Sequence, residues 1–189
     1  MRRLATMVAC GLMLGAVSVA SGAQQPKYSY PTTPQIEALK TEAAREIDAR
    51  AKSIQEMVDQ VFSFGELGMQ EFETSKFLTG VLEQNGFKVE RGVAGMPTAW
   101  VARWGSGKPV ISLGSDIDGI PQTNTKPGVG FREQYLVGAP SHGEGHNSGV
   151  PLNIAAALVV KKIMEREKMQ GTLVLWPGVA EEQMTGKAF

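Results

Sequence analysis

The sequence predicts an α/β fold in which helices flank a sheet, because segments of helical periodicity alternate with short runs of β-type residues. Apolar residues recur at helical spacing, with charges between them, in residues 35–62, 72–85 and 151–163. Short apolar or β-branched runs bounded by glycine and proline occupy residues 87–93, 98–104, 109–113 and 172–176. We therefore expect one α/β domain over residues 35–189.

The helices are predicted from their periodicity and their end signals. Residues 35–62 read as one long amphipathic helix that Pro34 can open, and the second helix stops at Asn85 and Gly86. The third is expected to begin at Pro151, which suits the first turn of a helix, and to end before Gly171.

Two of the predicted strands end in acidic residues. The run PVISLGSDIDGIP is apolar before it becomes acidic, and TLVLW leads directly into PGVAEEQ. A buried strand that delivers carboxylates at its carboxyl end is the usual way in which an α/β sheet presents ligands to a crevice. Residues 119–142, rich in glycine and proline, are predicted to form a loop.

The charge balance excludes some classes of partner. Nineteen basic residues stand against nineteen acidic ones, and neither sign forms long blocks. We therefore expect neither nucleic acid nor an anionic membrane surface as a partner.

The first residues have the pattern of a secretory signal peptide. Arg2 and Arg3 precede an apolar run that ends in small residues, so we expect residues 1–23 to be removed, with cleavage after Ala20 as the alternative. A retained membrane anchor or a lipid on Cys10 is a weaker interpretation. Residues 24–34 read as a linker, and the mature protein is expected to be secreted or periplasmic. Since Cys10 is the sole cysteine, any metal in the mature chain must bind nitrogen and oxygen.

Both histidines of the chain lie in one short stretch, His142-Gly-Glu144-Gly-His146, just before a predicted helix. Glycine permits tight turns, so these side chains can converge on a cation. The alternative is a polar, solvated loop, because short His/Glu motifs have many false positives.

Two acidic pairs could complete such a site. Asp116 and Asp118 alternate along a strand, so only one would face the site unless the backbone bends, and the alternative is a capped turn. Glu181 and Glu182 are adjacent, and adjacent carboxylates raise at least one pKa unless a cation or proton separates them. One could then bind metal while the other handles a proton, although a solvated loop is again the alternative.

Four blocks together carry a family resemblance, and they agree in order and spacing over residues 36–189. They are GVAGMPTAWVARWGSGKPVI, GSDIDGIPQTNTKPGV, HGEGHNSG with the alanine-rich helix after it, and GTLVLWPGVAEE. The sequence resembles amidohydrolases of the aminobenzoyl-glutamate hydrolase type, which are relatives of aminoacylases and carboxypeptidases G. The resemblance implies a zinc-peptidase-like catalytic domain with a mixed sheet, and hydrolysis of amide bonds in N-acyl or aminobenzoyl amino acids.

The resemblance also implies roles for individual residues. Glu181 corresponds to the base that takes a proton from water activated by a pair of Zn²⁺ or Mn²⁺ ions. Metal binding is implied for Glu144, His146, Glu182 and Asp116, and a supporting role behind the ligands for Asp118 and His142. Two positions depart from the pattern, because Glu144 replaces a cysteine and Asp116 replaces a histidine. A carboxylate in place of a thiolate should favour harder ions such as Mn²⁺.

Members of this family are longer than 189 residues, so the sequence is expected to stop before a lid or dimerisation domain and before the later ligands. A homodimer is expected only for a full-length version. A truncated, noncatalytic exported domain that binds metal or a partner is the main alternative function. An exported solute-binding protein is a third, which leaves the glutamate pair without a role.

Overall fold

The computed structural model of the protein describes residues 32–183 and 186–188. The predicted signal peptide and residues 24–31 of the predicted linker lie outside these residues. Within the described ranges no helix has both the length and the apolar character that a membrane crossing requires.

The described residues contain four helices around a four-stranded mixed sheet, which confirms the predicted fold class. The helices are α1 (Pro34–Asp48), α2 (Ala51–Phe64), α3 (Phe72–Gln84) and α4 (His146–Glu167). The strands are β1 (Lys88–Arg91), β2 (Trp100–Ser106), β3 (Val110–Asp116) and β4 (Gly171–Gly178). The sheet order is β1-β2-β4-β3, in which β3 and β4 are parallel and the other two pairings are antiparallel.

The core lies between the sheet and the helices. Helix α4 packs against β3 and β4, and α3 packs against β1 and β2. Alternate residues of β4, Leu173 and Leu175, are buried, and Trp100 of β2 is 1% exposed. Each such side chain contributes about 1.5–3 kcal/mol through burial, so the pattern of alternation decides which face of the sheet the helices cover.

The predicted long helix over residues 35–62 is wrong, because two helices, α1 and α2, occupy this stretch. The break is at Arg50, whose N–H bonds to the carbonyl of Ile47. The carbonyl of Glu46 would be the normal helical acceptor for this N–H. It accepts a hydrogen bond from the Arg50 guanidinium instead, at 2.8 Å. A side chain that satisfies a carbonyl in this way interrupts the ladder without changing the apolar periodicity, so the pattern does not reveal the break.

Helix α4 begins five residues before the predicted start at Pro151. Gly145 provides the left-handed N-cap at a φ of 96°, and His146 is the first helical residue. Pro151 lies in the second turn, where its missing N–H removes one hydrogen bond to the carbonyl of Asn147. His146 is therefore carried by a helix rather than by a loop.

Parallel pairing brings two acidic segments to the same edge of the sheet. Asp116 at the end of β3 pairs in register with Gly178 at the end of β4. The pairing continues one residue further, since the N–H of Ile117 donates to the carbonyl of Gly178 at 3.0 Å. The segments that follow the two strands, with Asp118 and with Glu181 and Glu182, therefore leave the sheet side by side.

Candidate metal centre

His146 lies at the middle of the predicted site residues, and its side chain is 10% exposed. Its Nδ1 lies 2.9 Å from the carbonyl oxygen of Asp118. A carbonyl can only accept, so Nδ1 carries a proton; in the neutral ring Nε2 then has the lone pair that a metal ion needs. That atom lies 3.9 Å from Glu144 Oε2, 3.9 Å from Glu181 Oε2 and 4.0 Å from Asp116 Oδ2.

Four of the predicted residues form a cluster that could hold a metal ion. One nitrogen or carboxylate oxygen from each of Glu144, His146, Glu181 and Glu182 lies within 4.8 Å of the others. The Glu144 side chain is 64% exposed, whereas those of Glu181 and Glu182 are 25% and 16% exposed. Glu144 therefore lies on the side of the cluster that faces solvent, and the other members are more buried.

Asp118 connects two members of this cluster and is fully buried. Its carbonyl accepts from His146, and its Oδ2 accepts from the N–H of Glu182 at 2.9 Å. The chain leaves β3 after Asp116, so the strict alternation of a strand no longer applies to Asp118, and both aspartates approach His146. These contacts are what an orienting role for Asp118 requires.

Two buried carboxylate oxygens lie on the Nδ1 side of His146, where a nearby positive charge would stabilise them. Among the described residues, Asp118 Oδ1 and Glu182 Oε1 are buried without a hydrogen-bond partner. They lie 3.6 and 3.8 Å from His146 Nδ1. Burial raises the pKa of Glu182, since its charged form is poorly solvated. Buried carboxylate oxygens are normally paired or bound to metal, and oxygen with imidazole nitrogen suits Zn²⁺ or Mn²⁺. The residues present fit a divalent cation.

Asp116 lies at the margin of the cluster and is bound by a lysine. Lys187 Nζ lies 3.1 Å from Asp116 Oδ2 and 2.8 Å from Glu181 Oε1. The hydrogen bond from this ammonium lowers the pKa of Glu181, and the two carboxylates in turn raise the pKa of Lys187. Asp116 is outside the four-residue cluster, so its metal-binding role stays a prediction.

His142 is buried and is hydrogen-bonded to α2, and the charges of His146 and Asp118 also act on its ring. Its Nε2 lies 3.2 Å from the carbonyl of Val61 in α2, and its ring centroid lies 6.4 Å from that of Phe62. Burial lowers the pKa of His142, which favours the neutral ring. The role predicted for His142, a supporting contact behind the metal ligands, stays a prediction.

No functional role was predicted for the loop between α2 and α3, yet it contacts the segments that follow β3 and β4. The main-chain carbonyl of Glu66 accepts a hydrogen bond from the N–H of Gly119 at 2.7 Å. The side-chain carboxylate of Glu66 accepts from the N–H groups of Glu73 and Thr74 and so caps α3. The buried Glu71 carboxylate accepts from the N–H of Ala180 at 2.8 Å. Nothing in the local sequence distinguishes these glutamates from solvated ones.

No family model matches the chain. Several known proteins are similar to it. A subunit of p-aminobenzoyl-glutamate hydrolase of Escherichia coli is 33% identical over 143 residues, which are 76% of this chain and 30% of that protein. An IAA-amino acid hydrolase, ILR1-like 2, of Arabidopsis thaliana is 33% identical over 64% of the chain and 26% of its own length. Thermostable carboxypeptidase 2 of Saccharolobus solfataricus is 32% identical over 62% of the chain and 29% of its own length. The chain thus spans about 30% or less of these relatives.

The fold agrees with a solved structure, a dinuclear metal-binding peptidase of the M20 family from Bacillus subtilis. It superposes with a TM-score of 0.62 at 23% identity, over 75% of this chain and 38% of that one. The mixed sheet with its helices therefore has the fold of the matched part of that peptidase. The chain is therefore a homologue of hydrolases and peptidases, among them a subunit of the p-aminobenzoyl-glutamate hydrolase of Escherichia coli.

Proposed function

We propose that the protein is a metal-dependent amidohydrolase that cleaves the C–N bond of N-acyl or aminobenzoyl amino acids. One observation carries this proposal. Four side chains converge beyond the carboxyl ends of β3 and β4, namely Glu144, His146, Glu181 and Glu182. The names of the relatives support the substrate class, because they are hydrolases of amino-acid conjugates and carboxypeptidases.

The two adjacent glutamates are suited to different tasks. Glu182 is held by Asp118 through its N–H and has a buried oxygen, which suits a metal ligand. Glu181 is more exposed, and Lys187 keeps its pKa low, so it is ionised near neutral pH. A divalent cation in such a site acts as a Lewis acid and lowers the pKa of a water molecule. Glu181 then accepts the proton of the attacking water and delivers it to the leaving amide nitrogen.

The ligand set bears on the choice of metal. Glu144 and Glu182 provide carboxylate oxygens and His146 an imidazole nitrogen, with Asp116 at the margin. Without a thiolate the set is compatible with Mn²⁺ as well as Zn²⁺. We propose that a pair of such ions binds.

We also propose that the protein is exported, with residues 1–23 removed. The basic residues before an apolar run that ends in small residues support this. N-terminal sequencing of secreted or periplasmic material should begin at Gln24, and an intact Met1 in the membrane fraction would contradict the proposal.

The function is tested on the protein as its gene encodes it. After chelation, Mn²⁺ or Zn²⁺ is titrated by calorimetry, and hydrolysis of aminobenzoyl-glutamate and of N-acetyl amino acids is followed with and without the ion. We expect metal-dependent release of the amine. A Glu165→Gln variant, which removes an exposed pair with Lys161, is the control for loss of a carboxylate elsewhere. Metal binding without turnover would favour the noncatalytic alternative, and absence of binding would contradict the metal centre itself.

A further inference from the structure

Glu71 is a fully buried carboxylate outside the proposed metal cluster. It stands at the N-cap position of α3, but its side chain makes no capping bond. Glu66 provides the cap, with hydrogen bonds of 2.9 Å from the N–H groups of Glu73 and Thr74. The Glu71 carboxylate is therefore available for a contact elsewhere.

Its two oxygens each accept one hydrogen bond from a distant part of the chain. The N–H of Ala180 donates to Oε1 at 2.8 Å, and the hydroxyl of Thr98 donates to Oε2 at 2.6 Å. Thr98 precedes β2, and Ala180 follows β4 and immediately precedes the Glu181–Glu182 pair. Glu71 thus holds the residue just before the two glutamates, while Asp118 holds the N–H of Glu182.

Ala180 has a backbone conformation that requires such support. Its φ is 52°, in the left-handed region that residues with a Cβ rarely adopt, and it is fully buried. Conformations of this kind persist when the surroundings determine them. The second constraint is close packing, because a Cβ built on Gly68 would lie 2.7 Å from the Cα of Ala180. Packing excludes movement toward the loop, and the bond to Glu71 opposes movement away from it.

We propose that Glu71 is a positioning residue that sets the geometry of Glu181 and Glu182 through the N–H of Ala180. This inference rests on the proposed function of the pair as base and metal ligand. A change in the Ala180 turn rotates the backbone of both following residues, so it alters metal binding and proton transfer together. Positional errors of about 1 Å reduce turnover substantially.

Three substitutions separate this role from ordinary core stabilisation. Glu71→Leu fills similar space and leaves Ala180 and Thr98 without their acceptor. Glu71→Gln can still accept from Ala180 with its carbonyl and donate to the Thr98 hydroxyl, which can reverse its direction. Thr98→Val keeps the Ala180 contact and removes only the other hydrogen bond, so it disturbs the same buried carboxylate without releasing the turn.

The experiment compares these variants in Mn²⁺ affinity by calorimetry, in kcat and KM for aminobenzoyl-glutamate, in Tm, and in hydrogen exchange of the amides at residues 180–182. We expect Glu71→Leu to weaken Mn²⁺ binding by about 10–100-fold. Its kcat should fall at least about tenfold while KM changes little, and exchange should accelerate. Thr98→Val should lower Tm yet keep kcat and Mn²⁺ affinity within about twofold of the unsubstituted protein. Glu71→Gln should retain most of the activity.

The inference is overturned if Thr98→Val and Glu71→Leu lose activity in proportion to their loss of Tm, or if Glu71→Leu leaves exchange at residue 180 unchanged. Should Glu71→Leu fail to fold, Glu71→Asp replaces it, because the shorter side chain keeps a carboxylate that no longer reaches Ala180. Hydrogen exchange is independent of metal and substrate. Faster exchange in a protein without turnover would therefore support the positioning role while contradicting the proposed function.

Discussion

The Nδ1–H of His146 donates a 2.9 Å hydrogen bond to the main-chain carbonyl of Asp118, which ties the first residue of α4 to the segment that follows β3. The bond turns Nε2 toward the carboxylates of Glu144, Glu181 and Asp116. Because the acceptor is a main-chain atom, most side-chain substitutions preserve the orientation of His146. The charge around the ring can therefore be altered without moving it.

Asp118→Asn is expected to weaken Mn²⁺ binding by about 10–100-fold. The amide oxygen can still accept from the N–H of Glu182, and the bond to His146 is unaffected, but the unpartnered carboxylate oxygen becomes an uncharged donor. Calorimetric titration measures the affinity. An unchanged affinity would show that Asp118 contributes nothing to the cation site beyond its backbone.

Glu181→Gln is expected to reduce kcat by about 10²–10⁴-fold, because the amide cannot accept the proton of water. Metal content should stay unchanged. Glu182→Ala and His146→Ala should instead lose metal, since they remove proposed ligands. Elemental analysis beside the hydrolysis assay distinguishes the two classes, and full activity in Glu181→Gln would contradict its assignment as the base.

Glu46 is expected to make stability depend on pH in the acid range. Hydrogen bonds from Arg50 and Lys162 lower its pKa from 4.5 to about 2. A lowered folded-state pKa stabilises the fold above the unfolded value, and this contribution is lost as the pH falls from about 4.5 to about 2.

Glu46→Gln should therefore lower Tm at pH 7, and the difference from the unsubstituted protein should shrink between pH 4.5 and pH 2. Thermal unfolding across this range measures it. Glu56→Gln, in an exposed pair with Lys52 on α2, is the control and should change Tm little at any pH. A Glu46→Gln difference that is constant with pH would contradict the linkage.

Two glycines in helices are expected to respond with opposite sign to substitution by alanine. Gly80→Ala in α3 should stabilise by about 0.5–1 kcal/mol, because alanine is the better helix former. A Cβ there meets no atom within 4 Å. At Gly149, in the first turns of α4, a Cβ would overlap Ser115 Oγ of β3. Gly149→Ala should therefore destabilise by about 1–3 kcal/mol.

Denaturant unfolding measures both effects. Ser115→Gly removes the atoms that a Cβ at residue 149 would meet, so it should restore part of the stability lost in Gly149→Ala. If Gly149→Ala proves as stabilising as Gly80→Ala, the close contact between α4 and β3 is wrong.

Local sequence was sufficient for much of the architecture and for the set of chemically active residues. Helical periodicity located α3 and most of α4, and apolar runs bounded by glycine located the strands to within a few residues. The acidic residues after β3 and β4 and the histidine stretch were recognisable because few other segments combine such side chains. Four of the predicted site residues do lie together in the structure. Their roles as ligands and base stay predictions.

Only the tertiary structure decided how these residues are held. The buried bonds of Glu71 and the bond between His146 and Asp118 depend on which groups meet across the fold. The break at Arg50 and the start of α4 are local features that apolar periodicity does not report. A glutamate that accepts from an amide 109 residues away has the same local sequence signature as one that faces water. Periodicity reports the face a residue presents, whereas hydrogen-bond partners are set by packing between elements distant in the chain.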